Sequence, residues 1–388
     1  MDPSSIPGGS GGYELHQKLR TKTVRLLRKK KYEEAIETLY SGSMQLLDMK
    51  EEGSACDLAE YLLDVYTQAD VSVTDESRDR ITNILGKTTS PMWRKKTIAA
   101  AIKWSTAKAK HPLGDEKLRI FLADLLRKDK QYFDAEAQFI AACAFSSAPA
   151  KVFAEMLLQW NAEYAEALAE TDPNKPSKDS VERVLTGTFA LRGWIPLLLV
   201  NAPKSADEFL KAYVQGATQR HSTLLLPMKP NPREYKSPAK ASTHETTIYM
   251  TASPALNFSQ NAIALVMDAD GKKPVPDEMK VAWQILMRQF LQEGGLNGLE
   301  SVLELLSQIS TRYFDLEPPR RQMDMISSMF SSMMGSGGAS EAADAKTAVS
   351  IKQLPRPAEP EKMKKEHASA SSAPAASEAD ELVDDEMD

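Results

Sequence analysis

Residues 13–66 set apolar stripes among charged gaps at helical spacing. Leu15, Leu19, Val24, Leu26 and Leu27 form the first stripe. Tyr32, Ala35, Ile36 and Leu39 repeat it at i, i+3, i+4, i+7, and Leu58, Tyr61, Leu62, Val65 and Tyr66 begin a third. Polar breaks at 29–31 and at Gly53-Ser54 separate them. The pattern predicts three amphipathic helices with short joints, stacked antiparallel or at right angles. Gly42 and Ser43 are small enough to let a neighbouring helix approach. Ala35, within Tyr-Glu-Glu-Ala-Ile at 32–36, takes the place where the helices of a hairpin repeat touch.

The same pattern continues downstream. Residues 71–74 read as an extended joint, with Thr74 as an N-cap and Asp75 and Glu76 suited to a helix N-terminus. Gly86 suits the stop of that helix, and Pro91 the start of the next, whose bulky residues are Trp93, Ile98, Ile102 and Trp104. Helices are expected at 118–126 and 132–145. There Tyr-Phe-Asp-Ala-Glu at 132–136 echoes 32–36 a hundred positions later, as a degenerate repeat would. Further helices are expected at 152–169, at 181–200 with Pro196 kinking or ending it, and over a short amphipathic stretch at 206–214. Four prolines then exclude a helix across 220–243. Residues 245–251 (ETTIYMT) are the best strand candidate. A lone strand in a helical chain either pairs within its own scaffold or offers an edge to another chain. Helices follow at 259–268, 276–291 and 296–314, then a Met-rich amphipathic piece at 323–334 that is either a frayed end or a docking surface. Residues 1–12 and the acidic stretch 335–388 carry too little apolar surface to offset ordering entropy, so disorder is expected of both.

Composition narrows the chemistry. With 388 residues, 42% of them hydrophobic and 26% charged, the chain is globular in type, and scarce Val/Ile/Thr alternation argues against an all-β fold. No apolar run approaches the roughly 18–20 residues of a membrane span. Cys56 and Cys143 fall inside helices, so no disulfide framework is expected and a reducing cytosol is the natural home. His16, His111, His221, His244 and His367 are scattered, without the spacing of metal ligands. Asp-Ala-Asp-Gly-Lys at 268–272 opens like a calcium loop, but Met279 replaces the closing Glu and a plain turn is expected. No phosphate loop or nucleophile elbow occurs, so neither a cofactor nor an enzymatic activity is expected. The main electrostatic feature is the basic run Lys18, Arg20, Lys22, Arg25 and 28–31. It suits a solvated helix face or an acidic protein partner. A net charge of −6 and the lack of interleaved aromatics weigh against nucleic acid.

Several stretches in order resemble the family of Golgi to ER traffic protein 4, the scaffold subunit of the guided entry of tail-anchored proteins pathway. They are 13–21 (YELHQKLRT), Tyr-Ser-Gly-Ser at 40–43, 57–66 (DLAEYLLDVY), His-Pro-Leu-Gly-Asp at 111–115, 132–136, Leu-Asn-Phe at 256–258 and 327–335. The resemblance covers residues 13–335. It implies an all-α, right-handed solenoid of TPR-like helical hairpins with a small β element. It divides the chain into a leading segment (1–12), an ATPase-binding half (13–150), a half that binds a ubiquitin-like-domain protein (151–334) and a tail (335–388). It implies a non-enzymatic cytosolic scaffold. One side would hold the targeting ATPase that carries tail-anchored proteins. The other would hold a ubiquitin-like-domain protein that recruits a TPR co-chaperone, so that contact is indirect. His16, Lys18, Arg20, Lys22 and Arg25 become candidates for the ATPase contact, with Asp57, Glu60 and Asp64 for a regulatory one. Ile248, Tyr249, Met250, Leu256 and Phe258 would line the ubiquitin-like partner's groove. The family also implies an amphipathic helix ahead of Tyr13, for which 1–12 lacks apolar residues. The Pro-rich 227–242 and the acidic tail look like lineage extras.

Two other readings stand beside this one. A generic helical-repeat subunit of a larger regulatory complex would call for a C-terminal winged-helix strand pattern. A helical hydrolase would need clustered titratable groups in a pocket.

Overall fold

The structure, a computed structural model, describes residues 10–171, 176–236, 244–292 and 300–316. Helices α1 (Ser10–Arg28), α2 (Tyr32–Asp48), α3 (Glu52–Gln68), α4 (Asp75–Lys87), α5 (Pro91–Lys108), α6 (Glu116–Lys128) and α7 (Tyr132–Cys143) form the first stack. The second holds α8 (Ala150–Thr171), α9 (Lys178–Leu199) and α10 (Pro203–Arg220), a hairpin of β1 (Arg233–Lys236) and β2 (Glu245–Ile248), and α11 (Pro254–Ala269), α12 (Asp277–Gln292) and α13 (Glu300–Phe314). Helices pack on the next one along the chain or the next but one, as α2 on α3, α3 on α5 and α8 on α10, and α9 also reaches α13. This is an all-α solenoid with one small β element.

The joints explain the stack. Lys30, Lys50, Asp70, Lys130 and Asn201 all have φ between 55° and 63°. At each, the next residue's N–H bonds back to the fifth carbonyl before it, as from Lys31 to Leu26, Glu51 to Leu46, Val71 to Tyr66, Gln131 to Leu126 and Ala202 to Leu197. This left-handed closure satisfies carbonyls that a helix end leaves free and turns the chain straight into the next helix. It relocates one expected break: α3 starts at Glu52 with Gly53 inside its first turn, because Lys50 makes the turn. Lys30 and Lys130 lie a hundred residues apart, and Tyr32 and Tyr132 open α2 and α7 in the same way. Ala35 and Ala135 are fully buried, as a hairpin contact requires.

Close packing does the rest. A Cβ at Gly42 would lie 2.5 Å from Leu19 Cδ1, so α1 and α2 meet there because position 42 has no side chain. Thr74 caps α4 by accepting from Ser77 N (3.2 Å), and Ser77 Oγ accepts from Thr74 N (2.9 Å); such caps are worth about 1 kcal/mol. Trp104 meets the Tyr66 ring at a tilt (5.1 Å between centroids) and donates to Val71 O (3.1 Å), fixing α5 on the joint after α3. Phe139, Phe153, Phe209 and Tyr213 continue the core into the second stack as successive ring contacts. Phe258 on Phe290 and Trp283 on Phe314 complete it. Among the described residues, no helix is long and apolar enough to cross a membrane.

Several expectations need correction. Ser10–Gly12 belong to α1 rather than to an unstructured start, while residues 1–9 lie outside the described residues. Val24, placed in the first apolar stripe, and Trp93, counted among the bulky residues of α5, are 40% and 45% exposed. Helix α9 runs three residues beyond Pro196, because Trp194, Ile195, Leu197 and Leu198 are buried on all sides and hold its last turn. Helix α10 is 18 residues long, not nine, and Gly216 within it is where Leu158 of α8 packs. The strand is not alone: β1, hidden behind Pro227, Pro230 and Pro232, pairs antiparallel with β2 from Arg233–Ile248 to Lys236–Glu245. The Asn231 amide braces the approach, bonding Leu226 O, Met250 O and Met250 N. The loop at 172–175, the Met-rich piece and the acidic tail lie outside the described residues.

Candidate functional site

Two surfaces hold the residues singled out from the sequence. The first is α1 and the face of α3 beside it. Arg25 and Arg28 in the last turn of α1 complement the negative end of its dipole. The basic run divides in two. His16, buried, meets Asp57 of α3 through Nε2 at 2.7 Å. Arg20 Nη1 donates to the same carboxylate at 2.7 Å and its guanidinium sits 5.6 Å over the Tyr61 ring. These two, with Asp57, therefore fasten α1 to α3. Lys18, Lys22 and Arg25 are exposed and have no carboxylate within ion-pair distance among the described residues. Among the described residues they are, with Arg28, Lys29 and Lys30, unpaired cations of the basic run. Glu60 is half-buried and Asp64 exposed. Burial raises the Glu60 carboxyl above its ordinary range; Lys96 opposes this, and Asp57 and Asp64 add to it. This edge of α3 thus carries closely spaced negative charge beside a positive helix.

The second surface is the hairpin with α11 and α12. Ile248 and Met250 are half-buried and line a cavity of about 350 Å³ with Tyr235, Phe258, Leu286 and Phe290. Tyr249, also half-buried, turns to the opposite side of β2. Two of the five expected groove residues are placed differently. Leu256 is 0% and Phe258 2% exposed, because α11 turns both into the core, where Phe258 stacks on Phe290 at 4.1 Å. Phe258 shapes the cavity from beneath, and neither residue offers more than a trace of surface. Tyr235 Oη donates to the buried Asp268 carboxylate at 2.8 Å, tying β1 to α11. The Asp268 of the calcium-like sequence is thereby a structural acceptor. Burial, and then Asp268, push the Tyr235 phenol up.

Sequence reading placed α12, expected at 276–291, but did not single out its exposed side. Trp283 and Phe290 face the core, while Val281 and Ile285, one turn apart on the other side, are 51% and 55% exposed. The signal was present in the helix's apolar residues, which are too many for one face: Met279, Val281, Trp283, Ile285, Leu286, Met287, Phe290 and Leu291. Exposed apolar residues at i, i+4 on one helix suit a docking face. Among the described residues, no group of three His, Cys, Asp or Glu side chains is arranged to hold a metal.

A stack of helical hairpins with a charged face on its first helices and an apolar one near its hairpin defines an α-solenoid of the scaffold kind. The chain belongs to the Golgi to ER traffic protein 4 family, whose sequence model matches residues 29–334. It is 32% identical to Golgi to ER traffic protein 4 of Schizosaccharomyces pombe over 149 residues, 38% of this chain and 48% of that one. To homolog B of Xenopus laevis it is 33% identical over 130 residues, 33% and 39% of the two chains. To the Homo sapiens homolog it is 30% identical over 151 residues, 38% and 44%. The matched stretch spans about half or less of these relatives. A crystal structure of C. therm. Get4 shares the fold, with a TM-score of 0.63 at 22% identity over 84% of this chain and 90% of that one.

Proposed function

We propose that this protein is a non-enzymatic, cytosolic scaffold of the guided entry of tail-anchored proteins pathway, holding a targeting ATPase on its first helices and a ubiquitin-like-domain protein near its hairpin. The family match over residues 29–334 carries this reading. Two features support it. Lys18, Lys22 and Arg25 stand free for an acidic partner, a contact that gives orientation and association rate more than affinity. Ile248, Met250, Val281 and Ile285 present apolar area at which a partner helix gains affinity.

The test captures both partners on the immobilised full chain. Lys22→Glu with Arg25→Glu should weaken the ATPase, more at low salt than high, and leave the ubiquitin-like protein bound. Met250→Asp with Ile285→Asp should do the reverse, with a loss of about thirtyfold or more, as for a hot spot of 2 kcal/mol. If neither pair changes either partner, both surfaces are misassigned. Arg20→Glu and Phe258→Asp are unsuitable variants, since one unfastens α1 from α3 and the other puts a charge in the core.

A further inference from the structure

We propose that the exposed face of α5 is a peripheral membrane contact that binds a surface of anionic lipid headgroups. Residues 80–114 form the longest stretch of the chain without an Asp or Glu, and they hold eight Lys and Arg in a chain of net charge −6. Folding divides these cations. Arg80, Lys87, Arg94 and Lys108 pair with Glu76, Asp48, Asp129 and Asp70. Lys95, Lys96, Lys103 and Lys110 are exposed and have no carboxylate within ion-pair distance among the described residues. Steps of three and four residues put Met92, Lys95, Lys96, Ala99 and Lys103 on one face of α5, and all five are exposed.

Two large apolar side chains stand at the N-terminal end of that face. Met92 is 67% and Trp93 45% exposed. The Trp93 ring rests on Gly53 of α3, where a Cβ would come within 3.3 Å of it, so part of the indole is seated and the rest is open to solvent. A seated indole beside lysines suits the headgroup layer, which takes an amphipathic ring and a positive charge together. A nucleic-acid backbone would engage the lysines alone, and a ring seated in this way does not stand free for base stacking.

Most carboxylates near this end are already engaged. Glu52 is bound by Thr89 and Ser90, and Asp48 by Lys87. Glu60 and Asp64 belong to α3, on the Trp93 side of α5, and the charge of Lys96 acts on Glu60. Lys95 lies about 160° round the helix from Trp93, away from α3, so the contact centres on Lys95 and Lys103. Each Lys at an anionic surface adds about fivefold to affinity, which makes this a weak, reversible attachment. The helix lies on the bilayer and does not enter it, being neither long nor apolar enough to cross. This reading does not depend on either partner proposed above.

Phosphatidylcholine vesicles containing about a third phosphatidylserine, mixed with the full chain at low salt, test it. Trp104, Trp160, Trp194 and Trp283 are at most 2% exposed, so a change in tryptophan emission on mixing reports Trp93. The protein should float with these vesicles, its emission should move to the blue, and brominated lipid should quench it. Raising salt to about 0.5 M should release the protein, and pure phosphatidylcholine should not hold it. Lys95→Ala with Lys103→Ala, at exposed positions where Ala keeps the helix, should lower the affinity about 25-fold. No flotation, flotation without a change in emission, or flotation that the two substitutions leave unaltered would overturn the proposal. Tighter binding of poly-Glu or of poly-U than of the vesicles would assign the face to an acidic protein or to RNA, and either result also overturns it.

Discussion

Replacing Arg192 should destabilise the junction of the two stacks, and the size can be worked from its surroundings. Arg192 of α9 meets Glu136 of α7 through Nε at 3.0 Å and through a second bond from Nη2. Both side chains are 4% exposed, and the guanidinium lies 5.0 Å over the Trp160 ring of α8. Burial raises the Glu136 carboxyl and Arg192 opposes that shift. Arg192→Met leaves the carboxylate without its cation, which costs about 3–5 kcal/mol for a buried pair. A raised carboxyl favours the fold while protonated, and that contribution is lost as pH rises through the folded-state value. Loss of Arg192 moves the value further up, so the variant's deficit should grow as pH rises through the wild-type folded-state value. Adding Glu136→Met removes the stranded charge and should restore more than half of the loss, because apolar replacement of a whole buried pair is often neutral. Urea unfolding followed by circular dichroism, with amide exchange in α7 and α9, measures both. A cost below about 1 kcal/mol for Arg192→Met, or a double variant no better than the single, would refute the reasoning.

Gly193→Ala should also destabilise: its methyl would fall within the Phe209 ring, and overpacking of about 1–3 kcal/mol exceeds the helix gain of about 1 kcal/mol. Thermal melting reads the loss, and Phe209→Leu should relieve part of it. Glu52 gives an acid-side signal. Burial alone would raise its carboxyl, but bonds from Thr89 Oγ1, Thr89 N and Ser90 N hold it below the ordinary value. The stability this confers is present above pH 4.5 and lost as pH falls through the lower folded-state value, so Glu52→Gln should flatten the acid limb of amide exchange at the α4–α5 joint.

The helices were legible because their stripes keep a 3.6-residue period, and the echo of 32–36 at 132–136 marked a true structural repeat. The joints were less so. Left-handed turns are sought at glycine, whereas here Lys50, Asp70 and Asn201 adopt them, held by bonds that the next helix supplies. Strand β1 was masked by the prolines before it, which shape the approach and take no part in the ladder. At the candidate surfaces the limit is geometric. Sequence shows that His16, Arg20 and Asp57 are charged or polar, but not that positions 41 and 37 residues apart will meet. Likewise Phe258 and Ile285 are both apolar residues on helices, and only the packing of α11 against α12 decides that one is core and the other surface.

The arrangement of helices bears on how the two surfaces communicate. In a stack whose members touch helices one or two places along, α1 and α12 share no contact, and a shift on one reaches the other only through several intervening layers. Those layers are closely packed: Phe139, Phe153, Phe209 and Tyr213 are all nearly or fully buried, and the Glu136–Arg192 pair pins α7 to α9. Coupling between sites requires an element with two packings that both ligands bias, and close packing of this kind resists a second arrangement. Binding at the basic face and at the hairpin should therefore be thermodynamically independent, with a coupling energy under about 0.5 kcal/mol, the usual limit for distant sites. Titrating one partner calorimetrically, with and without saturation by the other, measures it. A severalfold change in affinity would show that the stack bends as a unit, and the Arg192→Met variant would then show whether the α7–α9 junction is where it bends.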